Sequence, residues 1–320
     1  MIMRIVEWNC QGSFRTKNQF IKPYEADILV ILECENSERL KFNKLTPEPN
    51  DFVWHGDSPN KGIGIFSYSD YRFEILKDFN PLHRYIVPIR VFNENCSFLL
   101  IAVWAMDHKT DPLSRYIGQI WNAMNYYSYL LNENILVIGD FNSNQIWDGK
   151  ERTGNHSALI ELLQNNNISS LYHRQFNEGQ GKESRKTFFM HRNPNKGYHI
   201  DYILASDKLI ESGYNLALGD FGEWKSWSDH IPLILDINEV KSIFEYNALF
   251  SRIVERQTST LSTSIQSKFS AEIQKLKDYA LALDNGEDKA ISFHQISDTI
   301  EKLKKIDNII NSLLIYGEKL

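Results

Sequence analysis

The run Ile135-Leu136-Val137-Ile138-Gly139-Asp140-Phe141-Asn142 ends an apolar stretch with an acid and an amide two residues apart. Alternation along a strand sends such a pair to the same side, so Asp140 and Asn142 would face one ligand, a proton acceptor beside a neutral donor. The same two residues also make an ordinary polar turn. Glu33 closes a second apolar run, Asp27-Ile-Leu-Val-Ile-Leu-Glu33, where a carboxylate calls for a metal ion, another cation or solvent. Asn9 follows Trp8 at the end of a first apolar run, and Ser228-Asp229-His230 stands just before the last one. Turn asparagines are common, and Asp229 with His230 also reads as a capping acid beside a surface imidazole. Asp201 interrupts the apolar pattern His199-Ile200-Asp201-Tyr202-Ile203. A carboxylate inside a buried strand wants a partner, and a histidine suits it.

Positioning these groups takes a sheet-rich frame. Residues 3–8 and 27–33 read as strands covered on both faces, because short continuous runs of branched apolar residues suit such sheets. Further strands are predicted at 62–68, 86–92, 97–105 and 135–139, with a helix over 113–131 whose apolar face runs from Leu113 and Tyr116 to Leu130. A second helix fits 156–166 with Asn155 as its cap. Segments 187–191 and 198–204 flank Asn193-Pro-Asn-Lys-Gly197, a turn-rich insert that predicts a hairpin, and a last strand is expected at 231–237. Past about residue 240 glycine and proline nearly vanish. Apolar residues there recur at helical spacing on either side of Asp284-Asn-Gly-Glu-Asp288, which predicts an antiparallel helical hairpin. The expected organisation is a domain over 1–240 and a helical extension over 241–320 able to dock on it or to pair copies into a homo-oligomer.

Composition bounds the function classes. With 42% hydrophobic and 12% aromatic residues over 320 positions, the chain can bury a large core, which excludes general disorder. A net charge of -6 means that a polyanion must be met by a local basic patch or a metal, since the overall field opposes it. Cys10, Cys34 and Cys96 have no CxxC spacing, so neither a disulfide framework nor a thiolate zinc site is suggested. That usage, with no long apolar stretch after MIMRIVEWNC, leads us to expect a cytoplasmic protein without membrane spans.

Taken in order, Trp8-Asn9, Glu33, Gly139-Asp140-Phe141-Asn142, Thr187-Phe188, His199-Ile200-Asp201-Tyr202 and Ser228-Asp229-His230 resemble the endonuclease/exonuclease/phosphatase superfamily, which includes DNase I and the AP endonucleases. The resemblance spans about residues 3–238. It implies an α/β fold, a two-sheet DNase I-like sandwich with the site at one edge, and hydrolysis of phosphoester bonds. Carried over residue by residue, Glu33 is the principal metal ligand, with Asn9 and Asp229 close to the ion, and the implied cofactor is Mg²⁺ or Mn²⁺. Asp140 orients or deprotonates the attacking water, Asn142 hydrogen-bonds a phosphate oxygen in the transition state, and His230 paired with Asp201 donates to a nonbridging oxygen.

Three positions depart from the family pattern. Trp104 stands where a histidine or tyrosine is frequent, Gln11 where some relatives carry an aspartate, and His199 where arginine is common. All three are candidate substrate contacts, although Trp104 also reads as core. Trp147, Trp224 and Trp227, with Arg84, Arg152, Arg185, Lys186 and Arg192, could serve bases and phosphates or simply pack and solvate. A DNA-directed endonuclease or exonuclease is the leading reading, with DNA ahead of RNA. A phosphatase or phosphodiesterase for a small metabolite, nucleotide or lipid headgroup is the alternative, and a catalytically silent binding module is the alternative of another class.

Overall fold

The structure is a computed structural model that describes residues 2–44, 46–94, 96–149 and 154–238, together with Gln274. The helical hairpin expected over 241–320 and the candidate contact Arg152 lie outside the described residues.

The strands are β1 (Ile2–Asn9), β2 (Ile28–Cys34), β3 (Asp51–Ser58), β4 (Lys61–Ser67), β5 (Arg72–Ile75), β6 (Ile86–Phe92) and β7 (Ser97–Trp104). They continue with β8 (Ile135–Asp140), β9 (Ile168–Ser170), β10 (Phe188–Phe189), β11 (Gly197–Tyr198), β12 (Asp201–Ser206), β13 (Tyr214–Leu218) and β14 (Leu233–Asn238). Between them lie α1 (Phe14–Ile21), α2 (Ser37–Leu40), α3 (Ile117–Tyr126), α4 (His156–Gln164), α5 (Leu171–Phe176), α6 (Asp207–Ile210) and α7 (Phe221–Trp224).

Two six-stranded sheets form a sandwich, one in the order β13-β14-β1-β2-β4-β3 and the other β5-β6-β7-β8-β12-β9, with β10 and β11 as a separate hairpin. Two pairs run parallel, β1 with β2 and β7 with β8. Each is joined by a crossover carrying a helix, α1 in one and α3 in the other, as parallel neighbours require. Ile5, Val30, Ile65, Leu100, Ile138 and Ile203 fill the space between the sheets. Ile101, Val137 and Leu204 turn the other way to meet α3 and α4, and Val6, Trp8 and Ile31 meet Phe14 of α1 and Trp224 of α7. This is the two-sheet α/β sandwich expected, and helices on the outer faces explain why β2, β7 and β8 are apolar without alternation.

Several elements differ from expectation. The helix drawn over 113–131 is broken: a short turn at Pro112–Ser114, then α3, then another at Ser128–Leu130. Tyr116 sits at φ 48 and stops the helix from extending backward, leaving Leu113 and Tyr116 exposed rather than on an apolar face. The second helix holds, with the Asn155 side chain accepting from the Ala158 N–H at 2.9 Å. Segment 198–204 is two strands, because the chain leaves the β10–β11 hairpin after Tyr198 and enters the main sheet only at Asp201. Strands β3, β5, β9 and β13 and helix α1 were not expected.

Gly139 is the tightest point of the frame. It lies opposite Val103 on β7 at φ 139, and a Cβ there would stand 2.0 Å from the Val103 carbonyl oxygen. Only glycine lets β8 approach β7 closely and still deliver Asp140 to the sheet edge. Gly139→Ala should therefore lower stability by about 3 kcal/mol or more. A urea midpoint equal to that of the unchanged chain would show that the strands have slack here.

Candidate active site

The candidate residues meet where the two sheets face each other at one edge. Asn9 ends β1 in the first sheet, Asp140 ends β8 in the second, and the Asn9 Nδ2 donates to Asp140 Oδ2 at 3.0 Å across the gap. Phe141 continues past the strand, so Asn142 turns back at φ 45. Its backbone N–H donates to Asp140 Oδ1 at 2.8 Å, and its Nδ2 donates to Asp140 Oδ2 at 3.1 Å and to the Ala105 carbonyl at 2.9 Å. Both amide protons of Asn142 are thus engaged, which makes it a holder of Asp140 in this arrangement rather than the free donor expected.

Asp201 opens β12 as the register partner of Asp140. Its backbone N–H and that of Ile200 both donate to Thr187 Oγ1 at 3.0 Å, which gives the Thr187 position its purpose. Both Asp201 oxygens lie 3.0 Å from His230 Nδ1, and the other ring nitrogen points toward Asp140 Oδ2 at 3.9 Å. Ser228 locks the histidine segment to the first sheet, its hydroxyl donating to the Asn9 carbonyl at 2.7 Å and accepting from the His230 N–H at 3.0 Å.

Charge in this pocket is set by burial against pairing. Burial disfavours a charged His230 ring, yet Asp201 and Asp140 beside it prevail and raise its pKa to about 10, so the ring is an imidazolium at neutral pH. Burial and the neighbouring Asp201 push the Asp140 carboxyl up to about 7, against the opposing pull of His230 and the hydrogen bonds it accepts. Asp140, Asp201 and His230 place ligand-type atoms within 4.8 Å of one another. With Nδ1 taken by Asp201 and the ring protonated, however, His230 is poorly disposed to bind a cation.

Sequence reasoning missed three residues here. Glu7, on the same face of β1 as Asn9, is fully buried, and neither of its carboxylate oxygens has a hydrogen-bond partner. Burial, and then the charge of Asp201, drive its carboxyl well above the ordinary range. Lys61 forms an ion pair with Glu33, which sits at φ 58 on a bulge between Leu32 and Cys34. Lys17 donates to the Cys10 carbonyl at 2.6 Å, and its ammonium is depressed first by burial and further by the nearby Arg192. Glu7 was legible as a lone acid in an apolar strand; the two lysines look like any surface lysine.

The rim joins the remaining candidates. Gln11 receives Arg192 Nη2 on its Oε1 at 2.5 Å, donates from Nε2 to Asp229 Oδ2 at 3.0 Å, and donates its backbone N–H to Asn9 Oδ1 at 3.1 Å. Glu33 reaches the same strand-end edge, since Leu32 pairs with Asn9. Trp104 is buried with its ring 4.8 Å from that of Tyr85, and so belongs to the core. His199 is also buried, packed against Tyr172 and Tyr202, and is not brought into the cluster. Trp224 packs on Trp8 and Trp227 stacks on Phe20, whereas Trp147 is half exposed. Arg84 pairs with Asp57, Arg185 lies 4.0 Å over the Phe176 ring, and Lys186 donates to the Glu183 carbonyl. Of the basic candidates among the described residues, Arg192 is the one tied to the site.

A family model for the endonuclease/exonuclease/phosphatase family matches residues 6–230. The chain belongs to the endonuclease/exonuclease/phosphatase family. The match runs from the strand carrying Asn9 to His230 and so spans every residue of the cluster. Solved structures of similar fold include the 3′ phosphatase NExo from Neisseria bound to a product DNA hairpin, 18% identical, covering 74% of this chain and 99% of that one with a TM-score of 0.53. An AP endonuclease from Archaeoglobus fulgidus is 17% identical over 74% and 99%, with a TM-score of 0.52. The endonuclease domain of TRAS1, a telomere-specific non-LTR retrotransposon, is 15% identical over 75% and 99%, with a TM-score of 0.51. Among curated proteins no sequence matches significantly. In the described residues of this family member no helix is long and apolar enough to cross a membrane.

Just behind the site, His199 donates from Nδ1 to the Arg185 carbonyl at 2.9 Å, while its Nε2 has no partner, and burial lowers its pKa to about 4. Between about 4 and 6.5 the unfolded chain takes up a proton that the folded chain refuses. This contribution to stability is therefore whole above 6.5 and is lost as pH falls through about 4, by on the order of 3 kcal/mol. His199→Gln should flatten the fall. Unfolding free energies that drop as steeply in that variant would remove His199 as the cause.

Proposed function

We propose that this chain is a divalent-cation-dependent phosphodiesterase that acts on nucleic acid, with DNA as the first expectation. The observation that carries the reading is one buried carboxylate, Asp140, held by three hydrogen bonds from two asparagines and faced by an imidazolium that is itself paired to Asp201. A proton acceptor and a positive donor on either side of one small space suit attack by water on a phosphoester.

In this reading Asp140 takes the proton of the attacking water, and its pKa of about 7 suits a base working near neutrality. Asn9 and Asn142 fix the carboxylate's direction. His230 donates from Nε2 toward a nonbridging oxygen as negative charge builds, and Asp201 keeps the ring oriented and charged. Arg192, Lys17 and Lys61 put three cations at the mouth beside Glu33 and Asp229, where they could meet a phosphate chain on an otherwise acidic protein.

The residues also fit a metal. Glu33, Asp229 and the Asn9 amide oxygen would supply an all-oxygen donor set; Glu33 is already paired with a cation, Lys61, and Gln11 contacts both Asp229 and Asn9. Such a set suits Mg²⁺ or Mn²⁺, which when bound would neutralise charge on the phosphate. The extension over 241–320 is proposed as a docking or pairing element.

A panel of plasmid, single-stranded DNA, abasic DNA, RNA, nucleotides and inositol phosphates with Mg²⁺ or Mn²⁺ tests the reading. Cleavage of DNA is the expected result, and phosphate release from small molecules alone would overturn the nucleic-acid assignment. Asp140→Asn should lower turnover by a factor on the order of 10² to 10⁴ with the fold intact, and near-normal rates would remove it as the base. Glu33→Gln should shift the Mg²⁺ titration to higher concentration; an unchanged curve would place the ion elsewhere.

A further inference from the structure

A cavity of about 290 Å³ opens beside Asn142, lined by Tyr116, Ile117, Trp147, Asp148 and Asn155. That volume is near the lower end for ligand pockets, about 300 Å³. It adjoins the reacting centre, because the Asn142 side chain that lines it also donates to Asp140 at 3.1 Å.

The chemistry of the walls decides what could enter. The polar groups are engaged within the fold: the Asp148 carboxylate accepts from the His156 and Ser157 N–H groups and from the Ser157 hydroxyl, and the Asn155 oxygen caps α4. Among the described residues that line the cavity the one charged side chain is Asp148. The most exposed side chains of the lining are aromatic. Trp147 is 52% exposed and Tyr116 is 40% exposed, far above the buried aromatic rings of the core.

Neither ring is there by default. Tyr116 is held at φ 48, rare for a bulky residue, by its N–H donating to the Met106 carbonyl at 2.8 Å. Trp147 closes a short helical turn capped by the Asn144 side chain, which accepts from the Ile146 N–H at 3.1 Å. The Asn144 amide is anchored in turn to Glu183, the His199 carbonyl and Tyr202. The Trp147 ring also leans on Tyr198 at 5.1 Å, which fixes its plane.

We infer that this cavity seats an uncharged nucleobase next to the phosphate being cut, stacked on Trp147 and flanked by Tyr116. The inference rests on the nucleic-acid reading above and sharpens it: the enzyme engages a base beside the scissile bond and does not read backbone alone. Stacking on an aromatic face accepts every base, so the subsite supplies affinity and position without strong sequence preference.

The test uses the full chain with Mg²⁺ or Mn²⁺ and a labelled DNA oligonucleotide, together with versions that carry a tetrahydrofuran residue in place of one nucleotide at successive positions around the cut. Trp147→Ala should raise KM on the order of tenfold, Trp147→Phe should recover most of it, and Tyr116→Ala should act in the same direction. One tetrahydrofuran position should erase the difference between Trp147→Ala and the unchanged enzyme, because the ring then has no base to stack on. A Trp147→Ala chain with unchanged KM, or a penalty equal at every position, overturns this inference and leaves the nucleic-acid reading standing. Failure of the unchanged enzyme to cut any DNA or RNA overturns that reading and this inference with it.

Discussion

The closure of one sandwich edge by hydrogen bonds between the sheets is the constraint on which everything else depends. Asn9 reaches from the first sheet to Asp140 in the second, and His230, locked to β1 through Ser228, reaches to Asp201. Elsewhere the sheets meet through branched apolar side chains that tolerate small shifts. At this edge the contacts are polar, directional and almost wholly buried, so a slip of either sheet would strand a carboxylate in a region of low dielectric. The geometry that holds the edge together is thus the same geometry that would do chemistry.

Crowding acids there has an electrostatic consequence. Glu7, Asp140 and Asp201 lie close enough that their carboxyls repel, and one imidazolium cannot neutralise three charges. Glu7, whose carboxylate has no hydrogen-bond partner, is pushed toward its neutral form, Asp140 is left near the middle of the pH range, and His230 is held charged. Burial raises both carboxyls, whereas at His230 the contacts with Asp201 and Asp140 overcome it.

The strand cores were legible because physics leaves little choice there: β1, β2, β7 and β8 are apolar runs covered on both faces, and no other element suits that pattern. Edge strands were not. Asp51–Ser58 is partly exposed along its whole length, and α1 buries Phe14, Asn18 and Ile21 at helical spacing but over only eight residues and with a polar residue in the middle, so the signal of each is weak. Asp201 asked for a histidine and has one, but its neighbour His199 lies beyond a strand break and faces Tyr172 instead. Composition cannot reveal that break, which depends on Thr187 gathering the Ile200 and Asp201 N–H groups. Nor could it reveal Lys17 or Lys61, whose importance comes only from where α1 and β4 carry them.

Backbone strain is also present at this edge, as at several other turns of the chain. Gln11, Glu33, Asn142 and Arg192 all hold positive φ, near 45 to 58, and Gly139 sits at φ 139 directly before Asp140. Each non-glycine residue in that region costs roughly 1–2 kcal/mol, which a chain selected for stability alone would avoid. A regular strand would alternate these side chains between core and outer face, whereas a left-handed residue at the strand end turns the side chain across the edge. Gln11 is thereby brought onto Asp229 and Arg192, and Asn142 back onto Asp140. The large apolar core offsets that strain, and it is what allows chain ends from two sheets to converge on one small polar space.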